Sequence, residues 1–381
     1  MNCPQCHHDV PADDYCVRCG FPLGVDELDA PARRAGRRRF AAAPREQAWA
    51  PHVLSTIFPQ LPESDMRFFA AAAALGAAVA AGLALARFFP LALTVACVLV
   101  PVLLLLYLYA VDVYENEPAR VLAPTALWGS IAGVVLGLVV QHVDAPVRAV
   151  GLDLGDSSTL ILVVLLPLVG GALALAGPLA LLPYRRFNDV LDGATFGTLA
   201  GVTVAAAQTL VGSWPIVSGG FRPRGATGPW LVHLAEVGVL IPLVWAGAIG
   251  AAAAAFWLRY RAPVRDRDAL GPFGSPPVAV LGAAVLLVAA PGSIQAWGQN
   301  RALAVLAGLA AVAMILLRRT IHLGLLEEAD EIEIGGEVVC ANCHRVTRLH
   351  TFCGHCGVAL RALPKDRSTL PSVDTDPPVP A

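Results

Sequence analysis

The sequence predicts an all-α polytopic membrane protein of about eight transmembrane helices, with a small cysteine-rich module at each terminus. Of the 381 residues, 56% are hydrophobic and 15% are charged, which is too apolar for an ordinary soluble domain. The charges are concentrated in residues 1–65, in the loop around Arg259–Asp268 and after Arg318. The first residues do not have the basic and then apolar pattern of a signal peptide, so the N-terminus is expected to stay in the cytoplasm.

Eight segments are long and apolar enough to cross a bilayer, since a spanning helix needs about 20 mostly apolar residues. They lie near residues 67–86, 89–110, 119–141, 158–182, 190–212, 230–258, 278–295 and 301–318. The last two are the shortest. The first two are separated only by Arg87 and Pro90, so a single overlong helix is the alternative to two passes.

Arginines in the short loops predict the orientation, because positive residues favour the cytoplasmic side. The second, fourth and sixth loops and the chain ends carry Arg33, Arg34, Arg37, Arg38, Arg39, Arg120, Arg185, Arg186, Arg259, Arg261, Arg265, Arg267, Arg318 and Arg319. The opposite loops carry Arg87, Arg148, Arg222, Arg224 and Arg301. We therefore expect a cell-membrane protein with both termini in the cytoplasm, which agrees with an even number of helices.

The composition divides the chain into five parts. The cysteine-rich modules occupy residues 1–22 and 335–361, and the helical bundle occupies residues 66–320. Residues 23–65, rich in Ala, Pro and Arg, are expected to be a linker, and the proline-rich residues 362–381 a disordered tail. The basic run Arg33–Arg39 fits a solvated topology signal or a contact with anionic lipid better than nucleic-acid binding.

Eight of the nine cysteines form two copies of one pattern. The copies are Cys3-x2-Cys6-x9-Cys16-x2-Cys19 and Cys340-x2-Cys343-x9-Cys353-x2-Cys356. Each copy offers four thiolates to one tetrahedral zinc ion, which predicts two closed structural Zn²⁺ sites per chain. Disulfides are the alternative, but they belong to oxidising compartments rather than to the cytoplasm.

The residues around the cysteines agree with a zinc ribbon, and both copies resemble the short ribbons at the ends of many bacterial membrane proteins. Gly20 and Gly357 follow the fourth cysteine of each copy, where a knuckle often needs positive φ. The nearby histidines are not expected to be ligands, because each site already has four sulfurs; they are His7, His8, His344, His350 and His355. Such modules usually bind a protein partner or each other.

Three polar residues fall inside the predicted spans at a similar depth. Gln208 lies near the end of the fifth span, and His233 and Glu236 lie near the start of the sixth. Ionisable groups at membrane depth usually mark a pathway, a site or a buried pair. His233 and Glu236 are three residues apart, so they share a helix face and could hydrogen-bond or share a ligand. A solvated pair beside Trp230 is the alternative.

Other polar and small residues have structural explanations. An acidic cluster of Asp112, Glu115 and Glu117 lies between the second and third spans. Asp189 and Asp192 open the fifth span, where acidic residues interact favourably with the helix dipole. Small residues at four-residue spacing permit close helix packing, as at Gly193, Gly197 and Gly201.

The order of these features resembles the PrsW family of intramembrane proteases over about residues 100–260. The matching segments are DVYENEP at residues 112–118, FNDVLDG at residues 187–193 with Phe196 and Gly197, and His233, where the last catalytic motif of the family begins. The resemblance implies a helical membrane bundle that binds, and in active members cleaves, a transmembrane segment. It includes neither cysteine module.

The departures from the family pattern predict a protein that has lost the reaction. A Glu-Glu-x-x-Lys motif is replaced by Gly170, Gly171 and Ala174, and a Phe-x-x-x-Glu motif ends in Gln208, an amide that cannot act as a general base. The His-x-x-x-Asp motif keeps His233 but has Val237 at its acidic position. The sequence therefore favours a noncatalytic binding or regulatory protein. The alternatives are an active protease with a rearranged site at His233 and Glu236, and a transporter or channel.

Overall fold

The structure is a computed structural model. It describes residues 1–4, 6–23, 39–59, 61, 63–110, 119–143, 157–185, 187–218, 227–262, 264, 267, 270–329 and 334–360. The acidic cluster Asp112, Glu115 and Glu117, with the whole PrsW-like segment 112–118, lies outside the described residues, as do nearly all of the basic run Arg33–Arg39 and the tail 362–381.

Helices dominate the described part of the chain. A hairpin of β1 (Arg39–Phe40) and β2 (Ala43–Gln47) comes first, followed by the short helix α1 (Val53–Ile57). The long helices are α2 (Glu63–Leu85), α3 (Phe89–Ala110), α4 (Ala119–His142), α5 (Ser157–Leu179), α6 (Val190–Gly212), α8 (Thr227–Tyr260), α9 (Pro276–Ala296) and α10 (Gln299–Ala329). A short helix α7 (Trp214–Ser218), a 3₁₀ helix at Gly271–Gly274 and a second hairpin, β3 (Glu337–Val339) with β4 (Val346–Arg348), complete the set.

Eight helices among the described residues are long and apolar enough to cross a membrane. This number confirms the predicted polytopic fold. The first two passes are separate helices, because the chain turns at Arg87, whose φ is +63°. The last predicted segment, 301–318, is too short: α10 has 31 residues and continues to Ala329. Its final turns bury Ile321 and Leu325, so packing at that end extends the helix beyond the apolar stretch.

The two central helices are α6 and α8, whose apolar windows are the most buried of the eight. They approach closely through glycines of α6. A Cβ at Gly197 would lie 2.6 Å from the carbonyl oxygen of Ile249, and a Cβ at Gly201 would lie 2.6 Å from that of Trp245. Side chains larger than hydrogen would push the helices apart, so the packing role predicted for these glycines is confirmed.

Acidic side chains cap the start of α6, as predicted. The side chain of Asp189 accepts a hydrogen bond from the Leu191 amide at 3.1 Å, and that of Asp192 accepts one from the Asp189 amide at 3.1 Å. The extended α10 adds a third acceptor, because Glu328 receives the Val190 amide at 2.8 Å. The end of α10 is thereby attached to the start of the central helix.

The predicted linker 23–65 contains the β1–β2 hairpin and α1, which were not predicted from the sequence. The fully buried guanidinium of Arg318 on α10 contacts Glu46 at 2.6 Å and donates to the hydroxyls of Ser55 at 2.7 Å and Thr56 at 3.1 Å. Its charged face also lies 3.8 Å from the centre of the Phe40 ring. These contacts fix the β1–β2 hairpin and α1 against the end of α10.

Candidate functional site

The eight predicted cysteine ligands form two compact clusters. The Sγ atoms of Cys3 and Cys19 are 3.7 Å apart. Three further Sγ–Sγ distances are 3.8 Å, between Cys6 and Cys16, between Cys340 and Cys356, and between Cys343 and Cys353. Four sulfurs at about 2.3 Å from one zinc ion are about 3.8 Å apart, the edge of the tetrahedron. All of these cysteines are free thiols. The residues present therefore fit one tetrahedral Zn²⁺ per cluster.

Backbone turns aim the sulfurs in both clusters. In the N-terminal ribbon, the amide of His7 donates to the Cys3 carbonyl at 2.9 Å, and the amide of Gly20 donates to that of Cys16 at 2.8 Å. Both donors have positive φ, 59° at His7 and 68° at Gly20.

The C-terminal ribbon repeats this pattern at His344, with φ of 56°, and Gly357, with φ of 70°. The positive φ expected at the two glycines is confirmed. The two histidines occupy equivalent positions directly after the second cysteine of each copy. Their positive φ was not predicted from the sequence.

The thiols of each cluster perturb one another strongly. Hydrogen bonds from Cys16 and Cys19 lower the pKa of Cys3 to about 6, and those from Cys340 and Cys353 lower the pKa of Cys356 to about 3. Hydrogen bonding to Cys353 raises the pKa of Cys340. A divalent cation favours the thiolate form at all four ligands and releases their protons.

The two ribbons pack against each other about a local two-fold axis. The Tyr15 amide donates to the Gly354 carbonyl at 2.7 Å, and the Phe352 amide donates to the Val17 carbonyl at 2.9 Å. Each bond joins the residue before the third cysteine of one ribbon to the residue after the third cysteine of the other. Exchanging the ribbons therefore maps one bond onto its mate.

Side chains follow the same symmetry. The Phe352 ring lies 3.2 Å from the position of a Cβ at Gly20, and the Tyr15 ring lies 2.8 Å from the position of a Cβ at Gly357. Nδ1 of the buried His350 lies 3.0 Å from the Val17 carbonyl oxygen, so this histidine contributes to pairing rather than to metal ligation. In both copies an aromatic residue, Tyr15 or Phe352, precedes the third cysteine. This shared pattern could have predicted the pairing of the ribbons from the sequence.

The paired ribbons also contact the helical bundle. Phe352 and Ala359 belong to a buried apolar cluster that includes Phe40 of β1, Val190 of α6 and Leu325 of α10. The C-terminal ribbon therefore lies at the end of the bundle where α6 starts and α10 ends. Both ribbons lie at this end, which we call the ribbon end.

His233 and Glu236 come together near the opposite end of α8. Their Nδ1 and Oε2 atoms are 3.8 Å apart; Glu236 is 1% exposed and His233 is 29% exposed. Within the described parts of the chain, neither carboxylate oxygen of Glu236 has a hydrogen-bond partner. The structure thus favours a buried pair over a solvated one. Glu236 also begins a π-helical turn, Glu236–Leu240, an irregularity common at functional sites.

Gln208 does not complete this pair. Among the described side chains, no hydrogen bond links Gln208 to His233 or Glu236. Val237, at the acidic position of the family motif, packs in an apolar cluster with Leu234. Two ligands on one helix are too few for a firm metal site.

The positions that replace the family carboxylates are filled by apolar neighbours. A Cβ at Gly170 would lie 2.8 Å from the Trp245 ring and 2.9 Å from Leu136, and a Cβ at Gly171 would lie 2.7 Å from Leu287. Ala174 is fully buried. Among the described residues, a larger side chain at Gly170 or Gly171 would require Trp245, Leu136 or Leu287 to move.

Comparisons with known proteins give no relative of this chain. No protein-family model matches it, and no curated protein or solved structure is significantly similar to it. The resemblance to the PrsW family therefore rests on the motif residues alone.

Proposed function

We propose that the chain is a noncatalytic multi-pass protein of the cell membrane whose paired zinc ribbons form a cytoplasmic binding and regulatory module. The eight cysteines would hold two structural zinc ions. The arginine distribution supports the cytoplasmic location of the termini. The pairing of the ribbons supports the placement of both termini on one side of the membrane.

The observation that carries the noncatalytic assignment is the packing around Gly170 and Gly171. A hydrolase inside a membrane needs a base or a metal ion to activate water. Trp245 and Leu287 occupy the space that a base at these positions would need. Such a bundle retains the ability to bind a transmembrane segment without cleaving it.

The ribbon pair offers a surface for a protein partner. Val346 on β4 and Leu349 after it are 54% and 49% exposed, although both belong to a module outside the membrane-spanning helices. Exposed apolar side chains on a folded module outside the membrane favour contact with a protein. The zinc ions would hold this surface in shape.

A second candidate function is an intramembrane protease with a rearranged site. The buried Glu236, 3.8 Å from His233 and at the start of a π turn, favours it. In that case His233 would act as the base and the carboxylate of Glu236 would orient it.

An in-membrane cleavage assay separates the two functions. Purified wild type, His233→Ala and Glu236→Gln would be incubated with a single-span substrate, with and without zinc chelation. We expect no cleavage by any of them, two zinc ions per wild-type chain, and unchanged zinc content in both variants. Cleavage by wild type that is lost in His233→Ala would overturn the noncatalytic assignment and support the protease.

A further inference from the structure

A cavity of about 570 Å³ lies between α4 and α5 at the ribbon end of the bundle. On α4 it is lined by the segment from Val121 to Trp128, and on the other side by the segment from Ala176 to Tyr184. Most of the lining is apolar, and cavities of this size hold small organic ligands. It is separate from the ribbons and from the His233 and Glu236 pair.

The wall made by Trp128 is held in one position. Its indole Nε1 donates a hydrogen bond to the Leu173 carbonyl at 2.7 Å. Gly177 makes room for the ring, because a Cβ there would lie 2.6 Å from Cδ1 of the indole. Trp128 is also 42% exposed, so a lipid molecule that enters the cavity can contact its ring.

The turn that borders the cavity is polar and has two arginines beside it. Tyr184 lines the cavity and is 56% exposed, and the exposed Arg185 follows directly. Arg261, at the end of α8, donates from Nε to the Leu182 carbonyl, which holds its guanidinium beside the same turn. Among the described residues, no acidic side chain lines the cavity. The turn is thus complementary to a phosphate group.

We propose that this cavity binds an anionic phospholipid of the leaflet on the ribbon side. One acyl chain lies against Trp128 in the cavity, and the phosphate lies near Tyr184, Arg185 and Arg261. The eight residues from Val121 to Trp128 cover only about 11 Å of helix at about 1.5 Å per residue. This length suits part of an acyl chain and is only about a third of the roughly 30 Å that a spanning helix crosses.

Tryptophan quenching tests the site. The full chain would be placed in phosphatidylcholine vesicles with increasing fractions of phosphatidylglycerol or phosphatidylcholine brominated on the acyl chains. The signal of Trp128 is the wild-type fluorescence minus that of Trp128→Phe. We expect brominated phosphatidylglycerol to quench this signal at a mole fraction at least fivefold lower than brominated phosphatidylcholine. Equal quenching by both lipids means bulk lipid contact only and would overturn the proposal, as would no quenching by either.

Three variants connect the signal to the cavity. Arg185→Gln, and separately Arg261→Gln, are expected to reduce the preference for phosphatidylglycerol at least twofold. Ala180→Phe fills the cavity and is expected to reduce quenching, whereas Gly82→Phe adds the same ring on α2 where nothing lies within 4 Å. Arg185→Gln leaves the Arg261 hydrogen bond intact, so an unchanged preference in this variant with an unchanged melting temperature counts against the site.

Discussion

The two ribbons have the same cysteine spacing and the same turns, but they are attached to the molecule differently. The C-terminal ribbon packs through Phe352 and Ala359 into the apolar cluster at the ends of α6 and α10. The N-terminal ribbon packs against the C-terminal ribbon and against Ile334, the residue just before the C-terminal ribbon. Identical sets of four cysteines therefore occupy unequal positions: the C-terminal ribbon is anchored to the bundle, and the N-terminal ribbon packs on the C-terminal ribbon.

The largest effect should come from breaking one metal site at a time. Cys343→Ser and Cys6→Ser remove the second ligand of the C-terminal and N-terminal ribbon, respectively. A structural zinc site contributes about 10 kcal/mol or more to the folding of a small module. We expect Cys6→Ser to retain one tightly held zinc ion. Cys343→Ser should lose its own ion and release the other at least tenfold faster to a chelator.

The measurement is the zinc content per chain and the rate of zinc transfer to a colorimetric chelator. Wild type, with two sites, is the reference, and Cys97→Ser is the control for removal of a cysteine outside the ribbons. Equal release rates for the remaining ion in Cys6→Ser and Cys343→Ser would mean that the ribbons fold independently and that the proposed hierarchy is wrong.

The next effect tests how the C-terminal ribbon is anchored. Arg318→Met removes the guanidinium from the half-buried Glu46, which keeps its contacts with Ser55 and His52, and also removes the contact with the Phe40 ring. Breaking a buried ion pair by removing one member costs about 3–5 kcal/mol. We expect a lower melting temperature and faster tryptic release of the C-terminal ribbon.

Two further variants show whether the lost contact between Arg318 and Glu46 causes that result. Arg301→Met removes an exposed arginine at the other end of α10 and should leave both readouts unchanged. Adding Glu46→Gln to Arg318→Met should restore part of the stability, because the side chain that lost its arginine partner is then uncharged. Ribbon release at the wild-type rate in Arg318→Met would show that the hairpin does not hold the ribbon.

The differences between prediction and structure have a common physical origin. Apolar runs and cysteine spacing are local patterns, so the eight spans and the two ligand sets could be predicted from the sequence. The burial of Arg318 depends on Glu46, which is 272 residues away. The contact of His350 with Val17 joins residues 333 apart. Local patterns contain no information on such contacts, so the folded hairpin within the predicted linker was missed.

A smaller effect should come from the two rings of the ribbon interface. Phe352→Ala and Tyr15→Ala each remove the ring that covers a glycine of the opposite ribbon. Phe352 also packs into the bundle cluster, so its removal should cost about 3 kcal/mol, in the usual range for a buried phenylalanine. Tyr15→Ala should cost less and should loosen only the N-terminal ribbon.

Spin labels at Met1 and at Val346, introduced as cysteines and read by distance measurement, distinguish the two variants. In Tyr15→Ala the distance distribution should broaden while the C-terminal ribbon stays resistant to trypsin. In Phe352→Ala both ribbons should become sensitive. Equal sensitivity in the two variants would contradict the unequal attachment of the ribbons.

The smallest effect should come from the contact between Asp14 and His355 at the edge of the interface. Asp14 and His355 lie 3.9 Å apart, and Asp14 is 61% exposed. Exposed ion pairs contribute about 0–1 kcal/mol because water and salt screen them. Asp14→Asn should therefore leave zinc content, distance distribution and melting temperature as in wild type. A tenfold faster loss of zinc in Asp14→Asn would show that charge, rather than backbone pairing and the two rings, holds the ribbons together.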